Sequence, residues 1–220
     1  MIVTFASQKG GPGKSTAAVN VAADMIGRGK SVIIVDCDKK NASSSLWCGY
    51  REEQDSWKHV PCAEKSGRCD KILRELDKNY DYVIADTPGH DSEEMRSAML
   101  ASDLVVVPMQ ASQFDIDTMY SFYTLIEQTL VFNENLKIRY YVSNASTHVR
   151  VKESDDLKVF MTDYPIIRPL NVTIHNRRSF KKSLPDGLGA VELKDQKAAD
   201  EIKSLTNAIL KQEKYYVEKA

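Results

Sequence analysis

Lys9-Gly10-Gly11-Pro12-Gly13-Lys14-Ser15-Thr16 gathers two lysines, three glycines and two hydroxyl side chains into eight residues. Glycines let successive backbone N–H groups turn inward around phosphate oxygens, and a following helix adds the positive end of its dipole. In such a loop Lys14 neutralises the β- and γ-phosphates of a nucleoside triphosphate and Ser15 reaches a magnesium ion. Asp36, Asp38 and Asp86 offer the matching hard oxygens, each at or just beyond the end of an apolar run. A carboxylate beside a phosphate loop typically holds magnesium through water, and Asp86 is assigned that role. The plainer alternative is a strand-end aspartate that caps the next helix.

A strand must lead into this loop and a helix must leave it. Ile2-Val3-Thr4-Phe5-Ala6 is strand-like, while Ala17, Ala18, Val21, Ala22, Met25 and Ile26 recur at helical spacing until Gly27 and Gly29 stop them. Continuous apolar runs at 31–36, 82–85, 104–107 and 138–142 have the length of strands buried on both faces. Helical patterns at 69–76, 93–101, 115–130 and 153–162 separate them. This alternation predicts an α/β fold, a doubly wound and mostly parallel sheet flanked by helices, with ligands at the carboxyl ends of the strands. Residues 42–66 are polar and aperiodic, so a helix is expected only around 43–48 and loop elsewhere. Ala198, Ile202, Leu205, Ile209 and Leu210 form the apolar stripe of a last helix. Residues 1–210 are expected to form one domain, and 211–220 a charged, frayed tail.

With 30 basic and 31 acidic side chains among 220 residues, the formal charge is −1. No global field therefore draws the chain to nucleic acid or anionic lipid, and any such attraction must be local. No apolar stretch approaches the ~18–20 residues of a membrane span, and a cytoplasmic location is expected. The four cysteines, at 37, 48, 62 and 69, include no C-x-x-C pair and are read as reduced thiols. A zinc site from Cys48, Cys62, Cys69 and His59 is disfavoured, because the spacings fit no common pattern.

The usual phosphate-loop pattern begins with a glycine where this chain has Gln8, followed by Lys9. The resulting K-G-G-x-G-K-[ST] resembles the deviant Walker A motif of the ParA/MinD family of dimerising P-loop ATPases. That resemblance implies ATP and Mg2+ as cofactors, with slow, partner-stimulated hydrolysis of ATP. It also implies that Lys9 reaches across a dimer interface to the other subunit's nucleotide. Asp36-Cys37-Asp38 resembles the family's D-x-D segment, which gives Asp38 a part in hydrolysis beside Lys9 and Lys14, and Asp36 a supporting contact to the magnesium shell. Lys39-Lys40 departs from the Pro-Gln common there. Asp86-Thr87-Pro88-Gly89-His90 resembles a switch II segment. The run from Ala101 to Ser112, with Phe114-Asp115-Ile116, resembles the family's V-x-V-P-x-x-P-S-x-x-D segment, Ala111 replacing a proline. Asn144 falls where members place a base-contacting asparagine, and the loop around Pro169 where the adenine edge is bordered. The resulting nucleotide-binding set is Lys9, Gly10, Gly11, Pro12, Gly13, Lys14, Ser15, Thr16, Asn144 and Pro169, with Ser15, Asp36 and Asp86 at the metal.

Between Tyr164 and Pro185 the chain carries Arg168, Arg177, Arg178, Lys181 and Lys182 and no acidic residue. On a helix Arg177 pairs with Lys181, and Arg178 with Lys182, one turn apart, a stripe able to contact DNA phosphates without reading sequence. A solvated helix face is the plainer alternative. With the family resemblance, this implies a homodimer that forms with ATP, holds non-specific DNA and answers to a ParB-like or other activating partner in plasmid or chromosome partition or cargo positioning. The other class considered is a nucleotide-gated module that recruits a conjugation, secretion or polar complex with little hydrolysis. The tail lacks the amphipathic basic helix of a MinD-like membrane anchor, so no membrane partner is expected.

Overall fold

The computed structural model describes residues 1–110, 116–147 and 152–217. Seven parallel strands form one sheet in the order β3-β2-β4-β1-β5-β6-β7. They are β1 (Ile2–Phe5), β2 (Val32–Asp36), β3 (Cys62–Glu64), β4 (Tyr82–Asp86), β5 (Leu104–Met109), β6 (Lys137–Ala145) and β7 (Ile167–His175). The helices are α1 (Lys14–Gly27), α2 (Ser43–Glu52), α3 (Asp70–Asp77), α4 (Glu93–Ala101), α5 (Ile116–Phe132), α6 (Lys152–Phe160), α7 (Arg178–Ser183) and α8 (Gln196–Val217).

The continuous apolar runs become the central strands because both their faces are covered. Val3 and Phe5 of β1 pack with Ala18, Val21 and Ala22 of α1 and with Ile202 and Leu205 of α8. Residues of opposite parity face the other layer, where Ile2 and Val83 meet Leu73 and Ala98, and Val105 and Val107 meet Met99, Phe122 and Ile126. Helices α1, α2, α7 and α8 thus line one face, and α3 to α6 the other. β1 lies between β4 and β5, so the loop that follows it opens into the crevice where the winding reverses.

Three expectations change. The stretch after α2 contributes a short strand, β3, that pairs with β2. Pro169 is in no loop: it lies within β7, opposite Tyr140 of β6. An outermost strand tolerates proline because one row of its backbone groups has no ladder partner to supply. The strand's alternation of buried Leu170, Val172 and Ile174 with more exposed neighbours was hidden by Pro169 and by Asn171, which takes a left-handed φ of 56°. The charged segment expected to fray continues α8 as far as Val217, and its last three residues lie outside the described ones. Gln212 holds that end in place by accepting hydrogen bonds from Lys137 through its backbone oxygen and from Arg139 through its side chain. The Tyr82 hydroxyl donates to Glu213.

No helix among the described residues is long and apolar enough to cross a membrane. The described residues include no cluster of three or more His, Cys, Asp or Glu able to hold a metal.

Candidate nucleotide site

The loop between β1 and α1 turns through two left-handed glycines, Gly11 (φ 84°) and Gly13 (φ 93°), the second serving as the N-cap of α1. A side chain is strained at such φ values, which explains glycine at both positions. Three neighbours hold the loop from outside. Gln110 donates to the Gly11 carbonyl at 3.2 Å, Asn144 to the same oxygen at 3.3 Å, and Ser143 to the Pro12 carbonyl. Asn144 has a left-handed φ of 52°, a conformation asparagine tolerates, at the end of β6.

Lys14 is buried beneath the loop, with its ammonium 3.4 Å from the Ser7 hydroxyl. Burial lowers its pKa, while the charges of Asp86 and Asp38 oppose that shift. The loop after β4 closes over it: a Cβ added to Gly89 would lie 2.9 Å from Gly10 Cα and 3.1 Å from Lys14 Nζ, so only glycine permits this approach. Thr87 fixes the start of that loop by donating to the Phe5 carbonyl.

Asp36 and Asp86 stand opposite each other in the β2–β4 register. Both oxygens of Asp36 are engaged by its own loop, Oδ1 accepting from Asp38 N at 3.0 Å and Oδ2 from Ser45 N at 2.9 Å. This geometry makes Asp36 a holder of the β2–α2 connection. Asp86 Oδ2 accepts the Ser44 hydroxyl at 2.7 Å, whereas its buried Oδ1 has no hydrogen-bond partner among the described residues. Burial pushes the Asp86 pKa up to about 6, with Asp36 adding to the rise and Ser15, Ser44 and Lys14 opposing it. A buried acceptor without a partner is rare in folded proteins and fits a cation, or water on a cation, between Asp86 and Ser15. Asp38 is half-buried and turned into its own loop, accepting from Asn41 Nδ2 at 2.8 Å and Lys40 N at 3.2 Å.

Lys9 and Gly10 lie exposed at the rim of the loop, and Thr16 sits in the first turn of α1 beside it. A groove beside the loop is lined by Gly11, Gly13, Thr16, Asn144, Asn176, Arg177, Phe180 and Lys181. Pro169 is not part of it and instead lines a separate cavity with Tyr140, Lys158 and Thr162. The basic stripe also divides. α7 starts at Arg178, and Arg177 precedes it in an extended conformation, its guanidinium bound to Glu201 at 2.6 Å. Arg177 and Lys181 border the groove, while Arg178 and Lys182 are exposed on the short helix. The Ala111–Asp115 part of the quoted V-x-V-P motif lies outside the described residues. Sequence reasoning passed over Ser7, Ser44, Gln110 and Asn176. Only Ser44, in the Ser43-Ser44-Ser45 run after the D-x-D segment, gave a visible hint.

A parallel sheet of this winding, a glycine loop between β1 and α1, and lysines at both ends of that loop define a P-loop ATPase of the ParA/MinD class. The chain belongs to the VirC1 protein family, whose model matches residues 1–212. Among relatives, it is 31% identical over 141 residues to protein virC1 of Rhizobium rhizogenes, a match covering 62% of this chain and 60% of that protein. The chain thus aligns with about three fifths of that relative's length. It is 25% identical over 228 residues to the sporulation initiation inhibitor Soj of Bacillus subtilis, covering 83% and 89% of the two chains. The fold matches that of Cyanothece McdA with a TM-score of 0.74 at 14% identity, over 94% and 98% of the two chains; McdA has also been solved in complex with ATP.

Proposed function

We propose that this protein is an ATP-hydrolysing, dimerising switch, in which two copies close on a pair of nucleotides and the dimer holds DNA without reading its sequence. The observation that carries the reading is the buried Lys14 close to Asp86, whose second oxygen has no hydrogen-bond partner among the described residues, next to a loop turned by two left-handed glycines. Ser15 and, through water, Asp86 would hold a magnesium ion there, with Asp36 supporting its shell, and the ion would supply charge neutralisation on the triphosphate. Lys14 binds those phosphates from its own subunit. Lys9, from the rim, reaches the nucleotide of the other copy, so closure requires the triphosphate. Asp38 leaves its turn to orient the attacking water, and Asp36 keeps that turn in register. Asn144 borders the base.

The biological setting in this reading is partition of a plasmid or chromosome, or positioning of a cargo, in the cytoplasm, with a ParB-like or other activating partner. Exposed Lys39 and Lys40, next to Asp38, support a second reading, a recruitment module that binds nucleotide and barely turns it over. Measuring mass by light scattering with ADP, ATP and a non-hydrolysable analogue tests the first. Dimers are expected only with the triphosphates, Lys9→Ala staying monomeric while still binding ATP. A wild-type protein that remains monomeric at saturating analogue sinks the switch. Turnover that stays negligible with DNA and a cognate partner present favours recruitment.

A further inference from the structure

At the amino ends of β6 and β7, on the edge of the sheet farthest in the chain from the phosphate loop, two arginines stand side by side without a counter-charge. Arg139 and Arg168 are direct partners in the β6–β7 register, so their side chains leave the sheet on the same face, from backbones about 5 Å apart. α8 packs on that face, where the Gln212 side-chain oxygen accepts from Arg139 Nε at 3.0 Å. Arg139 Nη1 turns back to the Ile138 carbonyl at 2.9 Å, which leaves Nη2 without a partner among the described residues. Arg168 is exposed and makes no hydrogen bond or ion pair among them. Lys137, two residues before Arg139 and so on the same face, donates to the Gln212 carbonyl at 2.8 Å.

The arrangement is unlike the other arginines of the fold. Arg28, Arg51, Arg68, Arg96 and Arg177 each hold a carboxylate. Of the acidic groups on neighbouring elements, Glu213 accepts the Tyr82 hydroxyl and Asp103 accepts Ile2 N at 2.7 Å. Like charges directly opposite each other in a sheet are destabilising, and a half-buried cation without a counter-charge adds to that cost. Burial, and after it the charge of Arg168, lowers the Arg139 pKa, in keeping with an uncompensated pair. Planar guanidiniums offer forked donors that match phosphate oxygens, and two of them on adjacent strands can share one such group. We propose that Arg139 and Arg168, with Lys137 at their edge, form a phosphate-binding site at the end of the sheet opposite the nucleotide loop. The ligand is a phosphate group, carried by a free phosphorylated small molecule or by a nucleic-acid backbone.

The test titrates the whole protein with inorganic phosphate in a calorimeter at constant ionic strength, after ADP and Mg2+ have been added to fill the nucleotide loop. Wild type is compared with Arg168→Gln, Arg139→Gln and Lys71→Gln, the last an equal change of charge at an exposed position of α3. Phosphate affinity is expected to fall at least about 10-fold in the two arginine variants and to hold in Lys71→Gln. In chloride alone Arg168→Gln is expected to raise Tm by roughly 2 °C through relief of the like-charge pair, and added phosphate to narrow that gap by stabilising wild type alone. A second arm measures binding of a DNA duplex. A slope of log binding constant against log salt that falls by about 0.9 in Arg168→Gln makes the source a nucleic-acid backbone, whereas lost phosphate binding with an unchanged slope makes it a free phosphorylated molecule. Phosphate affinity and salt slope that both ignore Arg168, or that respond equally to Lys71→Gln, overturn the proposal. A lower Tm for Arg168→Gln in chloride overturns the repulsion it rests on. The site shares no residue with the nucleotide loop, and ADP binding is recorded in the same experiment, so its failure and failure of the switch reading stay distinct.

Discussion

At the carboxyl ends of β2 and β4 two aspartates sit side by side in the ladder, both almost fully buried, and their surroundings set them to different work. Asp36 gives each oxygen to a backbone N–H of the β2–α2 connection. Asp86 gives one oxygen to Ser44, and its other oxygen, toward Ser15, has no hydrogen-bond partner within normal distance among the described residues. Burial raises the pKa of both, so neither depth nor titration separates them. The difference lies in how many acceptor sites the fold has already engaged. A carboxylate with both oxygens engaged by backbone organises the fold around it, whereas one with an unengaged oxygen still has an acceptor to offer.

The largest expected effect comes from Asp86→Asn, which keeps the shape and the Ser44 contact but removes the charge. Turnover of ATP is expected to fall at least about 100-fold, a barrier increase near 2.7 kcal/mol, while stability at neutral pH rises. In the folded chain the Asp86 pKa is raised to about 6, above the ordinary aspartate value of 3.8. The folded state therefore binds the proton more tightly than the unfolded state. Between those two pH values stability falls as pH rises, and the cost is complete above the upper one. It amounts to the order of 3 kcal/mol. Urea unfolding at pH 7.5 should find the variant more stable than wild type, with the gap closing by pH 3.5. A variant less stable at pH 7.5 would mean that Lys14 fully compensates the ionised carboxylate, and the contrast with Asp36 would fail.

Asp36→Ala is the complementary test. It leaves the N–H groups of Asp38 and Ser45 without their acceptor, at a cost of roughly 2 kcal/mol after relief of the buried charge. Its signature is lost stability at pH 7.5, opposite in sign to Asp86→Asn. Equal signs for the two variants would erase the distinction between them.

The same criterion explains how much of the molecule the sequence disclosed. Residues 9–16 were legible because glycine, lysine and hydroxyl types at fixed spacing leave few alternatives, and the central strands because burial on both faces demands unbroken apolar runs. What stayed hidden depends on partners far along the chain. Asp36 and Asp86 look alike in sequence, and only the fold brings Ser44 and Ser45 to them. Arg51 carries no local signal, yet it is buried in a salt bridge with Glu192, 2.6 Å long, and over the Trp47 ring. Pro169 and Asn171 read as breakers because a sequence does not say which strand will be outermost.

The smallest expected effect carries the comparison from carboxylates to cations. Arg177 resembles Asp36: its guanidinium is engaged by Glu201, which also meets His175 Nδ1 at 2.7 Å. Arg178 and Lys182, exposed on α7, are the counterparts of Asp86. Replacing either exposed residue with alanine should change stability by no more than about 0.5 kcal/mol. If it contacts a DNA phosphate, each replacement should reduce the slope of log binding constant against log salt by about 0.9. Arg177→Ala should do the reverse, lowering stability measurably by loosening α8 from the end of β7 while leaving the salt slope in place. A slope that responds to Arg177 and ignores Arg178 and Lys182 would show that engagement within the fold does not predict availability to a partner.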